Sequence, residues 1–138
     1  MSAENGQMLG LEDILNPPEV DLLPTGTYPI TVKNGIWKED KNLLLLFCNV
    51  QHDTGKEVDD VTGFLNFPGE DDTNTQKRNK SNNIMAWVKA AGLTPQTSAE
   101  LADPEVWKGR QLSADIVIWP AKGEYSASNN IKSVNTIS

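Results

Sequence analysis

Two groups of aromatic and basic residues stand out in this chain of 138 residues. Trp37, Lys38 and Lys41 lie close together in one stretch, and Trp119, Lys122 and Tyr125 lie in another far downstream. Phe64 and Phe67 add rings between them, and Lys77, Arg78 and Lys80 form the densest basic group in the chain. Flat rings stack on nucleobases, worth about 1–3 kcal/mol per base, and ammonium or guanidinium groups follow the phosphates of a single strand. Each residue also has a plainer use. Trp37 and Trp119 serve equally well as covers at the ends of a barrel. Trp87 shares a helical stripe with apolar residues and belongs to a core, and Trp107 suits the bottom of a barrel. Lys38, Lys41 and Lys122 are ordinary turn residues until a partner is shown, and Lys77, Arg78 and Lys80 suit a solvated first helical turn.

Catalytic chemistry has less to build on. Cys48 and His52 share a parity on one extended stretch, which separates them by roughly 13 Å, too far for a thiolate–imidazole pair. One Cys and one His do not make a usual zinc site. Asp59-Asp60 and Glu70-Asp71-Asp72 lack the alternating spacing of a calcium loop. Gly63, Gly69 and Gly123 do not form a phosphate loop. The sequence therefore predicts no enzyme, no metal and no cofactor.

The elements that must position the aromatic and basic residues follow from periodicity. Tyr28, Ile30 and Val32 alternate with polar residues, so Tyr28–Lys38 reads as a strand with one apolar face. Asn34-Gly35 suits a bulge, after which either Ile36 or Trp37 resumes the pattern. Leu43–Val50 is apolar on both parities, as in a strand covered on both faces for part of its length. Val58–Phe67 gives a third strand, ended by Pro68. Over Gln76–Ala91, Ile84, Trp87, Val88 and Ala91 share a helical face, with Asp72, Thr73 or Thr75 as the N-cap and Gly92 as the C-cap. Leu112–Trp119 and Tyr125–Val134 complete the set. Three strands, a helix and two strands is the plan of a five-stranded OB barrel, mainly β, in which the loops between strands one and two and between strands four and five flank the ligand face. That plan would bring the two aromatic–basic groups to opposite sides of one face.

Composition sets the outer bounds. Charged residues at 22% and hydrophobic ones at 38%, with four Trp, fit one globular domain rather than a disordered chain. No apolar run reaches membrane-spanning length and no signal pattern opens the chain, so a cytoplasmic protein with no membrane partner is expected. A single cysteine agrees with a reducing compartment. The net charge of -7 argues against a simple basic nucleic-acid binder. Residues 1–24, however, hold five of the 19 acidic side chains and no basic one, which leaves 12 basic against 14 acidic in the rest. Residues 1–24 read as an acidic arm, interrupted by Pro17, Pro18 and Pro24, and residues 25–138 as the barrel domain. Leu9, Leu11, Ile14 and Leu15 could form one short apolar helical face, with Leu22 and Leu23 helping it dock. The arm is either a loose tail or a peptide that recruits another protein or folds over its own groove. An edge strand or the arm could also pair two copies into a homo-oligomer.

Several stretches carry a resemblance of pattern: Leu23-Pro24-Thr25-Gly26-Thr27-Tyr28, Leu43 to Val50 with the Gly55 turn, Ala86-Trp87-Val88-Lys89-Ala90-Ala91-Gly92-Leu93, Trp107-Lys108-Gly109-Arg110-Gln111-Leu112, and Asn129-Asn130-Ile131-Lys132. Over about residues 23–134 the chain resembles small phage-encoded OB-fold single-stranded DNA-binding proteins found among replication and recombination genes. The resemblance implies a non-enzymatic, largely sequence-independent single-stranded DNA-binding protein. The chain departs from cellular single-strand binders at its C-terminus, which ends Val134-Asn135-Thr136-Ile137-Ser138 with no acid. Recruitment of a replication or recombination protein would then fall to the N-terminal arm. The alternative expectation is a phage protein-interaction module that inhibits or adapts a host protein.

Overall fold

The alternation of Ile30 and Val32 with polar neighbours builds a strand, and its length decides the architecture. In the computed structural model, which describes Met8 and residues 10–15, 21–123 and 126–137, β1 runs over Gly26–Lys38. Thirteen residues are enough for two partners. Its first part, Gly26–Thr31, pairs with β4 (Gln111–Trp119), and Ile30–Lys38 pairs with β2 (Leu43–Val50). A bulge between Val32 and Asn34 adds local twist. β3 (Val61–Asn66) follows on β2, and β5 (Ser128–Asn135) on β4. All neighbours are antiparallel in the order β3-β2-β1-β4-β5, and β3 approaches β5 so that the sheet nearly closes into a barrel. This is the strand plan of an OB fold. The third strand starts three residues later than its sequence pattern, beyond the exposed pair Asp59-Asp60, and the fifth starts at Ser128.

The inward parity fills the barrel. Ile30, Val32, Leu44, Leu46, Cys48, Leu65, Leu112 and Ile116 are buried. Upstream, α1 (Leu11–Leu15) is a short helix with exposed apolar side chains. The main helix, α2 (Asn74–Ala91), lies between β3 and β4 in sequence and packs on β3, β4 and β5. Thr73 caps it with a full capping box, because Gln76 N donates to Thr73 Oγ1 and Thr73 N donates to Gln76 Oε1. Gly92 ends it in the left-handed region at φ 71°. The buried stripe is Ile84, Trp87 and Ala90. Trp87 lies against Gly63, where an added Cβ would stand 2.4 Å from the indole, so only glycine lets this helix approach β3.

Two short helices, α3 (Ser98–Leu101) and α4 (Pro104–Trp107), close the lower end. Trp107 is fully buried, meets Trp87 edge-on at 6.4 Å and donates from Nε1 to Leu101 O at 2.9 Å, which satisfies its one polar atom.

The barrel's framework starts upstream of the boundary read at residue 25. Leu23 is fully buried. Leu23 N donates to Asn129 Oδ1 at 2.8 Å, and Asn129 Nδ2 donates back to Leu23 O at 2.9 Å. Asp21 N donates to Glu57 O. Most of the acidic arm, and Tyr125, lie outside the described residues. Among the described residues no helix is long and apolar enough to cross a membrane.

Candidate nucleic-acid interface

The outward parity of β1, β2 and β3 makes a surface that the register lays out row by row. Ile36 pairs with Leu45, and Leu45 pairs with Phe64, so these three side chains cross the sheet on its outer side. Two strand spacings make this row about 10 Å wide. Ile36 and Phe64 are each 50% exposed and Leu45 is half-buried. One row along, about 7 Å away, Asn34, Phe47 and Thr62 are aligned. In the other direction Lys38, Leu43 and Asn66 form the next row, followed by the Glu39–Lys41 turn with exposed Lys41. The opposite end is acidic. Asp59 and Asp60 precede β3, and Lys33 reaches Asp60 at 2.8 Å. Both partners are well exposed, so this pair adds little stability, but it offsets one of the two charges. The surface therefore grades from carboxylates through an apolar middle to a turn in which Lys38 and Lys41 are balanced by exposed Glu39 and Asp40.

Phe64 also borders an open cleft of about 230 Å³ between β3 and the start of β5, where Asp21, Asp59 and Asp60 are wall residues. Ser128 lines the same cleft and pairs with Trp119 across β4 and β5. Trp119 is 57% exposed and stands on β4, one strand beyond the cleft wall at Ser128, without lining the cleft itself. Lys122 is exposed on the connection that follows Trp119.

Trp37 and Phe67 are placed elsewhere. After the bulge it is Ile36 that faces out, and Trp37, paired with buried Leu44, turns towards the barrel. Its ring meets Phe67 edge-on at 5.1 Å, and both pack against the core. They cover the barrel end beside the Lys38–Lys41 turn.

The basic group of α2 is close to the face without being on it. Asn83 Nδ2 donates to Phe64 O, and Lys80, Arg78 and Lys77 lie about 5–9 Å further back along the helix axis. Lys80 is committed to Asp72 at 2.8 Å. Gly69 N–H and the Lys80 ammonium hold the Asp72 carboxyl below the usual carboxylate range. Arg78 is exposed and Lys77 half-exposed. The first turn holds no acid, but Glu70, Asp71 and Asp72 directly precede its Thr73 cap and offset these cations and the positive end of the helix dipole.

Ile36, Leu45 and Phe47 were not singled out by sequence reasoning. The signal was present in the doubled apolar parity of Leu43–Cys48, whose second face turns out to be the open one.

Cys48 is fully buried, and burial, aided by the charge of Asp60, pushes its thiol up to about 12. His52 lies in a turn, with Nδ1 2.7 Å from Thr54 Oγ1. Among the described residues no three His, Cys, Asp or Glu side chains gather where they could hold a metal ion. Set against known protein families, the chain matches no family model, and no curated protein matches its sequence.

Proposed function

We propose that this protein is a non-enzymatic binder of single-stranded DNA, acting in phage replication or recombination, and that the outer face of β1–β2–β3 is where the strand lies. The observation that carries the reading is the solvent-facing row Ile36, Leu45 and Phe64, laid across three strands of an OB barrel beside a turn where Lys38 and Lys41 flank Glu39 and Asp40. Bases would pack on Phe64 and its apolar neighbours, with Trp119 as a second ring across the cleft. Lys38, Lys41, Lys77 and Arg78 would supply the phosphate contacts and hence the salt dependence. The phage role rests on the resemblance of pattern alone.

The test is a titration with oligonucleotides of several lengths at two salt concentrations. Trp87 and Trp107 are buried and Trp37 is packed edge-on against Phe67, so a fluorescence change on binding should come chiefly from Trp119 and largely vanish in Trp119→Phe, with Trp37→Phe as the control that leaves it in place. No binding to DNA or RNA at low salt would end the reading.

A second reading, a module that binds a basic protein, draws on a specific feature: three carboxylates, Asp21, Asp59 and Asp60, wall the cleft of a chain with net charge -7. A partner that survives nuclease treatment, and that is lost in Asp59→Asn/Asp60→Asn, would favour it over the first.

A further inference from the structure

The chain reaches the barrel through the cleft beside Phe64, because Asp21 and Leu22 line it. Just upstream, α1 leaves its apolar side chains in solvent: Leu11 is 70% exposed, Leu15 67% and Ile14 50%, with Met8 at 84% before them. The row Ile36, Leu45 and Phe64 is also uncovered. Among the described residues, two apolar surfaces of one chain thus face solvent. Six residue steps from Leu15 to Asp21 reach at most about 20 Å. The row is about 10 Å wide and borders the cleft at Phe64.

Charge gives the contact a direction. Residues 1–24 contain no Lys or Arg. Asp59 and Asp60 stand where the segment joins the barrel, whereas Lys38 and Lys41 stand at the far end of the face. Because Glu39 and Asp40 balance those lysines, the far end carries no net charge, and an acidic segment repelled from its point of attachment is favoured further out along the apolar row.

We propose that residues 8–15 are an internal ligand of the outer face of β1–β2–β3: they fold back within the same chain, cover Ile36, Leu45 and Phe64, and compete with a single strand for that surface. The competition rests on the reading of the face given above; the docking does not.

The test uses the full chain. A nitroxide on Gln7→Cys labels that position alone, since the only other thiol, Cys48, is buried. NMR signals of Ile36, Leu45 and Phe64 should broaden, and should recover in Leu11→Ser/Ile14→Ser/Leu15→Ser, whose sites lie outside the core. Absence of broadening at those residues, or broadening that persists in the triple variant, overturns the proposal. Mixing spin-labelled chains with isotope-labelled ones separates the occupants: broadening in the mixture would assign the face to a second copy and overturn the intramolecular contact. Oligonucleotide affinity then tests the competition. With the segment docked about nine-tenths of the time, the triple variant binds about tenfold more tightly. Equal affinities overturn the competition. No binding by either chain, with broadening intact, removes the single-strand reading and upholds the docking.

Discussion

Replacing Phe64 by leucine removes an aromatic ring and leaves hydrocarbon in its place. The side chain is half exposed on the outer parity of β3, between buried Gly63 and Leu65, so the barrel interior does not depend on it. The change should cost less than about 1 kcal/mol of stability, a shift of a few degrees at most in the melting temperature. Loss of one stacking surface costs about 1–3 kcal/mol of binding, which is about 5- to 150-fold in affinity. Trp37→Leu is the mirror experiment. Trp37 packs edge-on against Phe67 at the barrel end, so its loss should lower stability by about 2 kcal/mol and leave the affinity of the folded protein nearly unchanged. Anisotropy with a labelled oligonucleotide at low salt, paired with urea unfolding of each variant, reads both quantities. Phe64→Leu binding within twofold of the parent, with the fold intact, would refute the assignment of bases to this face. A cooperative fold lost in Phe64→Leu would refute the outward placement itself.

Gly63→Ala should destabilise the barrel by about 1–3 kcal/mol, seen as a lower urea midpoint, because the new Cβ would meet Trp87 Cη2 at 2.4 Å; an unchanged midpoint contradicts the packing described. Cys48 should react with a thiol reagent at pH 8 only as fast as the protein opens, since its thiol is buried and pushed up to about 12; rapid labelling of the native protein would show the interior to be looser. Asp115 accepts hydrogen bonds from Thr27 Oγ1 and Ser133 Oγ, which hold its carboxyl below the ordinary range. The unfolded chain then binds the proton more readily, so this contribution is present above the ordinary carboxylate pKa and is lost as pH falls through the lowered value. Asp115→Asn should therefore flatten the acid limb of the stability curve, and parallel curves for the two proteins would count against it.

Much of the architecture was legible because it follows from short-range periodicity. The helix α2 and its Gly92 stop follow from local spacing, and its cap falls among the three candidates Asp72, Thr73 and Thr75, of which Thr73 is the one used. Strand order followed from the sequence of elements. What was not legible depends on a single residue of offset. The bulge between Val32 and Asn34 decides whether Ile36 or Trp37 faces out, and alternation cannot choose between two apolar neighbours. Trp37 was therefore open to both readings, stacking platform and end cover, and it covers the barrel end. The same limit hid Leu45 and Phe47, since a run apolar on both parities says that two faces matter without saying which stays open. The anchoring of Leu23 by Asn129 is also non-local, joining residues at opposite ends of the chain.

The stretch Gly63-Phe64 has a mechanical consequence. Gly63 is wedged beneath the Trp87 indole, and the Phe64 carbonyl is tethered to Asn83 of the helix, so the backbone behind the exposed ring is held from the rear at successive residues. Such a strand behaves as an anvil rather than a spring. Whatever settles on that ring must bend itself to fit, and chains that flex at low cost would be held in preference to stiff ones.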